Sequence, residues 1–196
     1  MGRLGRRVCQ MTVSALAFIA AAGCLDHELE PGTDPELGMS GAAVYLAVQR
    51  DFADYEDWMK FDTEVEGEHG GVVGMISEYL NQLPEPGATE FPIGTMIVKT
   101  VQPKDGPAPA IHAMVKRGGT FNKSGAYGWE YFELQKTDKG TPIIAWRGAT
   151  PPSGEKYKKL LMPDSDMTME ADCNGCHKLS MNDAVLSDAL RLDKLE

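Results

Sequence analysis

Within 94–101 and within 110–117, side chains alternate between two faces with the period of a strand. "GTMIVKTV" (94–101) sets Thr95, Ile97, Lys99 and Val101 on one face. "AIHAMVKR" (110–117) sets Ile111, Ala113 and Val115 on one side and His112, Met114 and Lys116 on the other. The loop between them, "QPKDGPAP", is dense in turn residues, so the two strands are expected to form a hairpin. "GWEYFELQ" (128–135) is aromatic-rich, "TPIIAWRG" (141–148) is β-branched, and "KTDKG" separates them as a turn. The pattern predicts an antiparallel meander of at least four strands.

Helical spacing marks the flanks. In "AAVYLAVQRDFADYEDWMKF" (42–61), Ala42–Ala47 reads equally as strand or helix, while Phe52, Tyr55 and Trp58 fit a short helix. "EGEHGGVVG" (66–74) reads as a glycine-flanked loop carrying His69, and "ISEYLNQL" (76–83) as another short helix before a proline loop. Near the C-terminus, Ser180 and Asp183 resemble a capping box, and Met181, Val185, Ala189 and Leu190 mark one apolar helix face. The expected fold class is α+β: mostly antiparallel sheet, short flanking helices and no internal repeat.

The N-terminus departs from this globular pattern. Arg3, Arg6 and Arg7 precede an uncharged run from Val8 to Cys24, the layout of a secretory leader and too short for a comfortable transmembrane helix. "AAGC" places small residues before Cys24, as in bacterial lipoprotein leaders, where that cysteine is lipidated. Cleavage by an ordinary signal peptidase is the alternative. The expected organisation is a leader over 1–23, an acidic Pro- and Gly-rich tether over 24–41 and one domain over 42–196. The chain is then exported to the periplasmic side of a bacterial membrane and held there by a lipid anchor. Loss of the three leader arginines takes the formal charge from −10 to −13, which opposes nucleic acid and suits a basic partner protein.

Cysteine usage then narrows the chemistry. Cys9 leaves with the leader and Cys24 is assigned to lipid, so Cys173 and Cys176 remain, followed at once by His177 in "CNGCH". A structural zinc site needs four ligands, and no second cysteine pair exists; His69 or His112 would have to complete an irregular set. A thioredoxin-type pair belongs after a strand at the start of a helix, and this motif follows loop-like sequence. Free thiols outside the cytosol are hazardous, which opposes a chance occurrence. Covalent haem c accounts for all three residues: two thioethers from Cys173 and Cys176, and His177 on the iron. One motif means one haem.

A β-meander ending in a single C-terminal haem motif resembles the cytochrome P-460 family, which includes the β-type cytochromes c′. The likeness is carried by "FPIGTMIVKTV" (91–101), "WEYFEL" (129–134) and "CNGCH", with a looser match at "YEDWMKF" (55–61). The resemblance implies a homodimer and one of two activities. The P-460 enzymes oxidise hydroxylamine at a haem cross-linked to a lysine at the position of Lys99, whereas the cytochromes c′ of this fold bind nitric oxide without the cross-link. Where the enzymes carry a distal glutamate, this chain has His112, which can serve as a base near neutral pH or bind iron. A distal arginine has no counterpart in "GGVVGMISEYLN".

Alternatives stay open for several residues. Lys99 reads as a tuning or cross-linking group or as a surface lysine. His112 divides between a pocket role and a hydrogen-bonded strand histidine. His69 reads as a loop histidine and His27 as a solvated tether residue. Trp129, Tyr131 and Phe132 read as core. Met114 and Met162 offer a sixth iron ligand, although methionine usually fills core gaps. The functional expectation is redox chemistry on hydroxylamine or nitric oxide, served by a redox partner protein. A non-catalytic electron carrier and a gas-binding module are the alternatives.

Overall fold

A computed structural model describes residues 44–106, 108–148, 160–161, 168–169 and 173–195. The leader, Cys24, the tether and Met162 lie outside the described residues.

Six strands form one antiparallel sheet in sequence order: β1 (Met59–His69), β2 (Val72–Leu80), β3 (Met96–Gln102), β4 (Ala110–Lys116), β5 (Trp129–Lys136) and β6 (Pro142–Gly148). The fold is mostly antiparallel sheet in meander order with few short helices, as the alternation requires. The β3–β4 and β5–β6 turns fall where the turn residues put them. Two short strands, β7 (Leu160–Leu161) and β8 (Thr168–Met169), pair separately, and the helix α1 (Cys173–His177) follows them.

Both sheet faces are covered, which is why its strands bury residues at odd and even positions alike. On one face Val98, Ile111, Ala113, Val115 and Phe132 pack with Ala47, Phe52 and Tyr55 of the segment preceding the sheet. Phe52, Tyr55 and Trp58 share that segment, but it folds as two 3-10 turns, Gln49–Phe52 and Tyr55–Asp57, in place of one α-helix. Arg147 holds it down, donating to the Ala47 carbonyl at 3.1 Å while clamping Glu130 with two nitrogens. On the opposite face Ile97, Met114, Trp129 and Tyr131 pack against Ala184, Val185, Leu190 and Leu195 of the C-terminal segment.

Two expected helices are absent. "ISEYL" is the end of β2, paired on one side with β1 and on the other with β3. Within it Ile76, Glu78 and Leu80 share one face, and Ser77 and Tyr79 the other. The expected C-terminal helix is broken by Asp183 (φ 46°) and Ala184 (φ 64°), two successive left-handed residues that an α-helix cannot contain. The hydroxyl of Ser180, read as a cap, instead donates to the Val185 carbonyl at 2.7 Å and accepts from the Asn182 amide. Met181, assigned to an apolar helix face, is fully exposed.

Candidate functional site

The cross-strand register builds the site's floor. Glu78 pairs with Lys99, Lys99 with His112, and His112 with Glu133, so four ionisable residues form one row across β2–β5. Phe61 and Trp146 continue the row onto β1 and β6. Trp146 stays in register because the β5–β6 ladder shifts between Glu133 and Leu134. The row faces the C-terminal segment across a partly open cavity of about 250 Å³. Cys173, Cys176 and His177 line its far side, and Ile97, Met114, Tyr131, Val185 and Leu186 supply apolar wall.

The motif residues are brought together by local geometry. Positions i, i+3 and i+4 of a helix share a face, which turns both thiols and the imidazole the same way. Neither cysteine is in a disulfide, and both are half-buried. Asn174, between the thiols, anchors the turn to the loop before β5. Its Oδ1 accepts from Asn122 Nδ2 at 2.6 Å and from the Ala126 amide at 3.1 Å. Gly125 leaves the room for this, since a Cβ there would fall 2.2 Å from the Asn174 side chain.

His177 is oriented by the very turn that breaks the expected helix. Its Nδ1 lies 2.8 Å from the Ala184 carbonyl, which can only accept, so Nδ1 carries the proton and Nε2 keeps its lone pair. Burial holds the His177 imidazole below its usual pKa, opposed by the Ala184 hydrogen bond. A neutral ring with a free Nε2 is the form that binds a metal.

Lys99 and His112 both line the cavity. The Lys99 ammonium is 2.9 Å from the carboxylate of Glu78, which is almost wholly buried and also accepts from the Ser187 hydroxyl. His69 is corrected from a loop histidine to the last residue of β1, at the cavity wall. It pairs with Val72 across a two-residue turn, Gly70 (φ 60°) and Gly71 (φ 78°), whose positive angles define a type I′ hairpin. Its ring centre lies 4.7 Å from that of His112 and 6.4 Å from that of His177. Burial holds His69 well below its usual pKa, with the charges of His112, Lys99 and His177 acting the same way.

Tyr131 is core, as read, and also lines the cavity, with its ring centre 5.1 Å from that of His177. Trp129 and Phe132 are core, packed on opposite faces of the sheet. Sequence reasoning missed Glu78, Glu133 and Ser187 altogether. For His69 the signal was present: "HGGV" is a Gly-Gly two-residue turn between strand-forming runs.

The Gly70 turn yields a test. An alanine Cβ at Gly70 would stand 2.9 Å from His112 Cε1 and Nε2 while holding a left-handed backbone. Gly70→Ala is expected to lower unfolding stability by about 1–2 kcal/mol, read by urea denaturation. An unchanged midpoint would mean that the turn is not of this type.

No family model, curated protein or solved structure matches this chain.

The residues present fit a covalently held haem. Two thiols and one imidazole with a free Nε2 face a single cavity with mostly apolar walls. That cavity is partly open. Among the described residues no three His, Cys, Asp or Glu groups converge closely enough to hold a metal ion by themselves. The arrangement suits a metal that arrives within its own ring and needs only axial protein ligands.

Proposed function

We propose that this chain is an exported, lipid-anchored mono-haem c-type cytochrome that binds or oxidises a small nitrogen compound, hydroxylamine or nitric oxide. The observation that carries the reading is the row Glu78–Lys99–His112–Glu133 facing Cys173, Cys176 and His177 across one cavity. Cys173 and Cys176 hold the haem and His177 its iron, which supplies electron transfer and a site for a small ligand. Hydroxylamine oxidation releases protons as well as electrons, and the row offers acceptors for them. His112 takes a proton at an imidazole nitrogen. Glu78 is held in place by the Lys99 ammonium and the Ser187 hydroxyl. On this reading Lys99 tunes the pocket through its charge, and its pairing with Glu78 competes with any use of its amine as a nucleophile. The resemblance to the cytochrome P-460 family supports the same substrates.

The test uses the full chain matured in a host that attaches haem c. Addition of nitric oxide is expected to shift the ferrous Soret band, and hydroxylamine with an artificial electron acceptor to give turnover. His112→Ala is expected to lower that turnover by about a hundredfold with covalent haem retained. The Soret band of Lys99→Ala is expected to match wild type, because an ion-paired lysine leaves the macrocycle unmodified. A red-shifted wild-type band that reverts in this variant would establish a cross-link instead. A matured protein with neither response to the two nitrogen compounds would remove the proposed substrates.

A further inference from the structure

We infer that His69 stands across the iron from His177 as its second axial ligand in the resting protein. The inference rests on the haem reading above and adds the residue that closes the remaining coordination position. Two metal–imidazole bonds of about 2.0 Å, plus roughly 1.1 Å from each ring nitrogen to its ring centre, separate paired axial imidazoles by about 6.2 Å. The His69 and His177 ring centres are 6.4 Å apart, with ring planes at 81° to one another. Crossed planes leave each ring free to direct a nitrogen along a common axis. The two residues approach from different parts of the chain, one from the β1–β2 hairpin tip and one from α1.

Three further observations support the assignment. His69 Nδ1 is shut off from solvent and has no hydrogen-bond partner among the described residues. A buried ring nitrogen in that state costs free energy unless something meets it. The type I′ turn fixes the His69 backbone, and the His112 ring, 4.7 Å away, limits where its imidazole can swing. Burial and the neighbouring charges keep the ring neutral, the form that ligates. Small ligands must then displace His69.

The matured wild type, His69→Ala and His112→Ala are compared by haem content, ferric electron paramagnetic resonance and carbon monoxide binding. Wild type and His112→Ala are expected to be low-spin in the ferric state, and His69→Ala high-spin. Free imidazole is expected to return His69→Ala to low spin, which separates loss of a ligand from loss of the fold. If His69 occupies the position at least about nine-tenths of the time, its removal speeds ferrous carbon monoxide binding at least about tenfold. A high-spin wild type that contains covalent haem would overturn the His69 assignment alone. So would a spin change in His112→Ala and none in His69→Ala. A wild type that contains no haem after maturation would overturn the haem reading, and this inference with it.

Discussion

Replacing Cys173 and Cys176 together by alanine is expected to abolish covalent haem while leaving the sheet folded. Each thiol accounts for one thioether, so the double variant has no means of retaining the group once the chain is denatured. The measurement is the mass of the acid-denatured chain beside that of wild type, with haem absorbance after gel electrophoresis as a second readout. The fold is expected to persist because the six-stranded sheet buries its core on both faces with residues other than these two. Cys173 only borders one cluster, and both cysteines are half-buried. Each single variant keeps one thiol and is expected to retain haem in reduced yield. A wild-type chain of unmodified mass after maturation would defeat the assignment and return the pair to its zinc or disulfide alternatives.

The parts of the molecule that sequence made legible are those fixed by neighbouring residues. Strands β3 and β4 were readable from a period of two, β5 and β6 from their aromatic and β-branched content, and all four from their turns, which are local signals. The thiols and His177 were readable for the same reason: their spacing alone aligns them. The β2 strand was not, because Ile76, Tyr79, Leu80 and Leu83 also fit a helix at i, i+3, i+4 and i+7. What decides between the two is pairing with β1 and β3, which lie before and after it in the chain. That error hid Glu78, whose place beside Lys99 exists only once β2 is a strand. Glu133 lay on a strand already recognised, but its alignment with His112 depends on the β4–β5 register across a long connection. Sequence therefore named both ends of the site and missed the carboxylates that complete its row.

The C-terminal turn shows the same limit and leads to the largest stability effect expected in the protein. Asp183 was read as the fourth residue of a capping box, a purely local role. In the fold its Oδ1 is 2.5 Å from Lys116 Nζ, and its Oδ2 accepts from the Phe91 amide at 2.8 Å. Lys116 is nearly buried, with its ammonium 5.4 Å from the ring centre of Trp129 and a longer contact of 3.9 Å to the exposed Glu90. Asp183→Ala would leave that cation buried with only Glu90 and the Tyr127 carbonyl, 3.5 Å away, as remaining polar partners, so a loss of about 3 kcal/mol is expected. Asp183→Asn, which keeps the Phe91 hydrogen bond and loses the charge, should fall between the two. Chemical denaturation of the three chains measures this directly.

The same substitution reaches the proposed haem site. Asp183 holds the left-handed turn that presents the Ala184 carbonyl to His177 Nδ1. Losing that anchor frees the carbonyl, so the imidazole loses the partner that fixes its proton and its direction. The matured Asp183→Ala protein is therefore expected to bind its haem covalently but to show a heterogeneous ferric spectrum, with a weakened His177 bond. A variant as stable as wild type with an unchanged spectrum would show that the Lys116–Asp183 pair does not hold the turn. If stability fell and the spectrum did not change, the pair would be a structural strap alone, and His177 would be positioned by α1 and the Asn174 anchor.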